Sequence, residues 1–232
     1  MKKLVTKAVP SLLAMTMLIL LGVPMLAADK NSDDQTLRNA ANVLQAMLGS
    51  KDVPASVVAK ADCILVLPSV KKFAVGLGGT GGRGPLSCRG GKNFTGKWSA
   101  PAMYTIGGAS AGFQIGGTAS DIILLIMSPG AVNKVLDSKV KVGTDATAAA
   151  GPGATATGTM GDADMLTYAR TKGLFAGISL NGASLDPDGD ANGRIYGQTV
   201  SARQIVTGGT VKATPSGQAL VSLLDSKAGR HE

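Results

Sequence analysis

The chain of 232 residues carries 23 basic and 15 acidic residues, a formal net charge of +8, one histidine, two cysteines and 32 glycines. So few histidines and cysteines exclude a His/Cys transition-metal centre. One Trp, three Tyr and four Phe are too few to stack single-stranded nucleic acid. Neither a cofactor nor a nucleic-acid partner is expected.

Lys2, Lys3 and Lys7 precede an apolar run over 11–23, which is shorter than the roughly 20 residues a membrane span needs. Small residues follow at Ala27 and Ala28. Residues 1–28 therefore read as a secretory signal peptide, and 29–232 as a single exported domain, periplasmic or secreted, with peripheral membrane association. Loss of three lysines would leave 20 basic against 15 acidic residues, a net of +5. Residues 71–120 hold six basic residues and no acid, so the positive charge is local. Local charge favours a specific anionic partner over general stickiness.

Ser32 and Gln35 have the spacing of a capping box, and Leu37, Ala40, Ala41, Leu44, Met47 and Leu48 recur at helical spacing up to Gly49. A short helix is expected over 54–60. The apolar run 62–69 is a strand ended by Pro68. Residues 73–79 read as a strand whose hairpin partner is 84–89. Further strands are expected over 102–106, 111–116 and 121–127, the last apolar throughout and so fully buried. A helix over 129–136 has proline in its first turn. Small-residue segments occupy 139–142, 144–150 and 154–159. A hairpin crosses Gly173, joining 165–172 to 174–180. Helices over 201–206 and 214–227 close the chain. The expected fold is α+β, with a strongly curved, partly barrel-like antiparallel sheet flanked by N-terminal and C-terminal helices.

Three motifs suggest chemistry and lack their partners. Gly76, Gly78 and Gly81 fit a dinucleotide-binding loop, but Gly82-Arg83-Gly84-Pro85 cannot begin the helix that holds a pyrophosphate. Gly108-Ala109-Ser110-Ala111-Gly112 fits a nucleophile elbow, yet the only histidine is His231, near the chain end. Asp188, Asp190 and Asn192 open a calcium-loop pattern in which Thr199 stands where a bidentate glutamate belongs. The alternative for that stretch is a polar turn. Cys63 and Cys88 either form a disulfide, which export favours, or sit as buried thiols on neighbouring strands.

The pieces follow a recognisable order. Ala61-Asp62-Cys63-Ile64-Leu65-Val66-Leu67-Pro68 precedes Phe73-Ala74-Val75-Gly76. Trp98-Ser99-Ala100-Pro101 and Gly112-Phe113-Gln114-Ile115-Gly116 come next. Then follow Asp121-Ile122-Ile123-Leu124, Val142-Gly143-Thr144-Asp145 and Gly173-Leu174-Phe175-Ala176-Gly177-Ile178-Ser179-Leu180. This resembles the SYLF domain family of lipid-binding modules over a core of about 37–208. The resemblance implies binding of anionic phospholipids and membranes and, in some eukaryotic members, actin. Eukaryotic members use a basic amphipathic N-terminal helix for membrane contact. Here 33–48 carries one basic residue and two acids, so headgroup binding is assigned to the glycine-rich block instead.

The expected activity is non-enzymatic binding of anionic phospholipid or a membrane surface in the bacterial envelope. Lys71, Lys72, Arg83, Arg89, Lys92 and Lys97 would supply charge, Trp98 would anchor at the interface or in the core, and amides in 78–84 would form an anion nest. The alternatives are an envelope structural or protein-interaction module and, behind it, a hydrolase at Ser110.

Overall fold

The computed structural model describes residues 24–75, 77–111, 116–150, 163–176, 180 and 182–228. Most of the expected signal peptide, the segment 154–159 and His231 lie outside the described residues.

Strand β1 (Cys63–Val75) shows why the sheet lies in the middle of the molecule. Its Cys63, Leu65 and Leu67 enter one apolar cluster, and Ile64 and Val66 enter another. Side chains alternate across a strand, so a run that is apolar at every position must be covered on both faces. β4 (Gly116–Ile126) repeats the pattern: Ile122, Leu124 and Ile126 face one cluster, Ile123 and Leu125 the other. All five are inaccessible, as the unbroken apolar run requires.

Among the described residues nine strands form one sheet. Its order is β5 (Val140–Lys141), β9 (Ser184–Pro187), β3 (Ala102–Ala111), β2 (Leu77–Cys88), β1, β4, β7 (Met165–Thr171) and β6 (Ala148–Ala150), with β8 (Leu174–Ala176) paired to β7. Every pairing is antiparallel except β6 with β7. Helices α1 (Pro24–Gly49) and α6 (Pro215–Lys227) cover one face through Ala40, Leu44, Met47, Leu220 and Leu224. Helices α3 (Pro129–Asp137) and α5 (Ala202–Thr207) cover the other through Val132, Val135, Ile205 and Val206. Short helices α2 (Ala55–Val58) and α4 (Gly189–Tyr196) complete the set. The architecture is α+β, with a curled antiparallel sheet between terminal helices.

Four boundaries differ from the sequence reading. Pro68 does not end β1. The register shifts between Leu67 and Val70 against β4, and Ser69 takes φ 52°. A bulge there accommodates a residue that has no ladder N–H to give. It also changes the alternation: Leu67 and Val70 point into the same cluster. Beyond the bulge, Lys71 and Phe73 therefore belong to the α1 face and Lys72 to the opposite one.

The expected strand 73–79 and its hairpin partner 84–89 are redrawn: 73–75 end β1, and 77–79 and 84–88 belong together to β2. β2 runs from Leu77, paired to β3 over 77–86 and to β1 over 77–81 and 86–88, so the amides of 78–84 lie in an extended strand rather than an anion nest. Gly84 is required by close approach: a Cβ there would sit 1.9 Å from the Val66 carbonyl oxygen. Residues 102–106 and 111 belong to the one strand β3. Lastly, α1 is already helical at Pro24, so Ser32 is internal and no capping box forms. Its carbonyl instead accepts from Thr36 Oγ1 at 2.9 Å. A capping box forms instead at Ser201 and Gln204, at the start of the expected helix over 201–206.

Candidate functional site

Cys63 and Cys88 are directly opposite one another on β1 and β2 and form a disulfide. Next to it, Arg89 turns inward. Its Nε donates to Ala61 O at 3.2 Å, and its Nη2 donates to Ala59 O at 3.2 Å and to Ala228 O. Ala228 caps the C-terminus of α6, where helical carbonyls lack partners and cations are favoured. The Arg89 guanidinium also stacks 4.3 Å above the Trp98 ring. Both side chains are buried, Arg89 at 2 % and Trp98 at 5 % exposure. The expectation that Arg89 meets a headgroup at the surface is corrected, and Trp98 takes the core position of the two expected for it: they lock α2, α6 and the sheet end together.

Arg83 is also engaged. It pairs with Asp33 of α1, which has no solvent exposure and which also accepts from Arg194 Nε at 2.8 Å and Nη2 at 3.3 Å. A buried carboxylate needs such compensation. Its two guanidinium partners come from β2 and α4, so Arg83 positions α1 across the sheet. The side chain of Lys92 lies outside the described residues. Lys97 is exposed beside Trp98.

Lys71 and Lys72 stand at the far end of β1. Their partners are Ala119 and Thr118 on β4 and Gly81 and Thr80 on β2. Lys71 is exposed. Lys72 is half-buried, and burial holds its ammonium below the usual lysine range. Phe73 follows, 61 % exposed, opposite Gly79 and Gly117. Neither partner has a side chain to cover it, and the ring lies over Gly79, where a Cβ would come within 2.6 Å of Cζ. The β7–β8 hairpin reaches the same level of the sheet, because Thr171 pairs with Ser120. Its turn presents exposed Lys172, and Leu174 beyond it is 74 % exposed. Phe73 and Leu174 are the two large hydrophobic side chains standing exposed among the described residues.

The six expected cations are thus not one patch. Arg83 and Arg89 are structural, Lys97 lies at one end of β2, and Lys71 and Lys72 lie at the other. Sequence reading missed Phe73, Lys172 and Leu174. A signal for Phe73 existed, since an aromatic among glycines lacks large neighbours; the partner of Leu174 at the sheet tip had none.

The other motifs resolve as structure. Asp188 is the N-cap of α4, its side chain accepting from Ala191 N at 3.0 Å. Asn192 is buried and bonds both Met103 N, at 2.7 Å, and Met103 O, at 3.3 Å. Asp188, Asp190 and Asn192 therefore belong to a capped helix, which replaces both the polar turn and the calcium loop weighed for this stretch. Among the described residues no cluster of three His, Cys, Asp or Glu is placed to hold a metal. Ser110 lies within β3 opposite Gly78, not on the strand-to-helix turn an elbow requires. The dinucleotide pattern enters a strand rather than a helix. No described helix is long and apolar enough to cross a membrane.

A family model described as Ysc84, Las17-binding protein actin regulator, matches residues 107–227, a little over half of the chain. Among curated proteins, SH3 domain-containing YSC84-like protein 1 of Homo sapiens is 33 % identical over 187 residues, covering 78 % of this chain and 53 % of that protein. Its Mus musculus counterpart is 34 % identical over 187 residues, covering 78 % and 54 %. Protein YSC84 of Saccharomyces cerevisiae is 31 % identical over 140 residues, covering 57 % and 30 %. The chain spans about half the length of the mammalian relatives it matches.

Proposed function

The chain belongs to the Ysc84 (SYLF) family, and from that membership we propose that it binds anionic phospholipid at a membrane surface of the bacterial envelope, without catalysis. One observation carries this reading: exposed Phe73 and Leu174 share a sheet end with Lys71, Lys72 and Lys172. An aromatic ring and a leucine partition into the acyl boundary, while lysines beside them meet anionic headgroups at about 1 kcal/mol each. Residues 1–28 would direct export as a signal peptide, leaving 29–232 as one domain.

Vesicle co-sedimentation tests the reading. Vesicles of phosphatidylglycerol and phosphatidylcholine should bind the protein in low salt, and phosphatidylcholine alone should not. Lys71→Glu/Lys72→Glu should weaken binding at least tenfold, and Phe73→Ser should weaken it at every salt concentration. Equal binding by these variants and the parent protein would remove the sheet tip from the site. A protein partner is the second reading, favoured by the family description as Las17-binding; capture of an envelope protein that is indifferent to lipid and to Lys71→Glu/Lys72→Glu would support it.

A further inference from the structure

A second site lies at the opposite end of β2. Segment 90–100 leaves the sheet there and faces the chain joining α5 to α6. Between them is a cleft of about 550 Å³. Its walls include Trp98, Ile205, Val206 and Val211, and its lining holds two charged side chains, Lys97 and Lys212, with no acid. Both lysines are exposed, so their ammonium groups keep their hydration; beside them the lining mixes apolar side chains with glycine backbone and the neutral polar groups of Ser99, Thr207 and Gln218. Asp225, which accepts from Trp98 N at 3.3 Å, is not part of the lining.

We propose that this cleft binds an amphiphile with one acyl chain and an anionic head, the chain against Val211 and the accessible edge of Trp98 and the head between Lys97 and Lys212. The volume falls within the range of small-molecule sites. It suits a single chain and is too small for the two chains of a diacyl phospholipid. The charge selects the sign of the head: two cations with no acid in the lining attract an anion and repel a cation. The fold supplies the cleft without a lid. Arg89 and the disulfide hold the base of segment 90–100, and α6 is held by Arg89 through Ala228. The walls are therefore set before a ligand arrives, and little ordering cost is left to binding. The head could belong to a free fatty acid or to a lysophospholipid, which share this chemistry.

Trp98 is the only tryptophan of the chain, so its fluorescence reports this cleft directly. Full-length protein is titrated with laurate, with lysophosphatidylglycerol and with dodecyltrimethylammonium, each below its micelle concentration, and calorimetry on the same samples gives a reading independent of the indole. Saturable binding of laurate identifies a fatty-acid site, and preference for lysophosphatidylglycerol a phospholipid-derived one. In either case Lys97→Glu/Lys212→Glu should weaken binding at least tenfold with the melting temperature unchanged. Lys71→Glu/Lys72→Glu should leave it intact, which separates this site from the sheet tip. Absence of saturable binding by both anions, equal binding of dodecyltrimethylammonium, or an unchanged affinity in Lys97→Glu/Lys212→Glu would overturn the proposal.

Discussion

Asp33 and Arg194 meet at 2.8 Å where the carboxylate has no solvent exposure, joining α1 to α4. Arg83 reaches the same carboxylate from β2. One acid thus bridges two guanidinium groups from separate elements and fixes where α1 crosses the sheet. Removing one partner of a buried ion pair leaves uncompensated charge, which costs about 3–5 kcal/mol. Asp33→Ala should lower unfolding free energy by about that amount in urea titration, with the midpoint falling and the slope retained. Asp33→Asn should lose less, because the amide oxygen still accepts a hydrogen bond. A loss below about 1 kcal/mol for Asp33→Ala would show that the triad contributes little.

The Cys63–Cys88 disulfide closes a separation of 25 residues. Cross-links of that span stabilise by roughly 2–4 kcal/mol, mainly by restricting the unfolded chain. Cys63→Ala/Cys88→Ala should therefore melt markedly lower than the oxidised protein. Reductant should lower the melting temperature of the parent and leave the variant unmoved. Identical melting of parent and variant under oxidising conditions would contradict the bond.

Two glycines of β2 should respond oppositely to the same substitution. At Gly84 a Cβ would meet the Val66 carbonyl oxygen at 1.9 Å, so strand β1 would have to move. Gly84→Ala should cost at least about 2 kcal/mol, as overpacking does. At Gly81 nothing lies within 4 Å of the added carbon. Gly81→Ala should be neutral or slightly stabilising, through reduced freedom of the unfolded chain. Denaturant midpoints of the two variants decide the matter.

Asp164 gathers the N-cap of α3 and the start of β7. It accepts from Ser128 Oγ at 2.7 Å, from Thr147 N at 3.1 Å and from Thr147 Oγ1 at 3.0 Å. The Ser128 hydroxyl, then Thr147 and the Lys134 charge, hold its carboxyl below the ordinary value near 3.8, against an opposing effect of burial. Because the folded value is the lower one, its stabilisation is complete above the unfolded pKa and is lost as pH falls through the folded value. Amide exchange at Thr147 should therefore accelerate only below about pH 4 beyond the intrinsic pH trend, and Asp164→Asn should abolish that excess.

The parts that were legible in the sequence are those governed by near neighbours. The unbroken apolar run at Ile122, Ile123, Leu124, Leu125 and Ile126 announces a strand covered on both sides. The short helix over 201–206 is legible too, and the structure opens it on a capping box of Ser201 and Gln204; Gly173 marks a hairpin. The misreadings share a cause. Ser32 and Gln35 carry the same capping signal, but good helix formers upstream let α1 continue past it. Asp188, Asp190 and Asn192 look like ligands because helix caps and calcium loops use the same short polar side chains.

The basic residues divide most sharply between what the chain itself decided and what folding decided. The amino-acid order determined the two-sided core, the opposing cysteines and an acid-free stretch holding six cations over 71–120. It could not determine which of those cations face water. Arg89 is buried by carbonyls as far along the chain as Ala228, a separation of 139 residues, and Arg83 is drawn onto an acid of α1. Lys71 and Lys72 come to share a sheet end with Lys172 and Leu174 through the β1–β4, β4–β7 and β7–β8 pairings. A charge is a local property of the sequence. Its solvation depends on contacts between distant segments, and only the tertiary structure sets those.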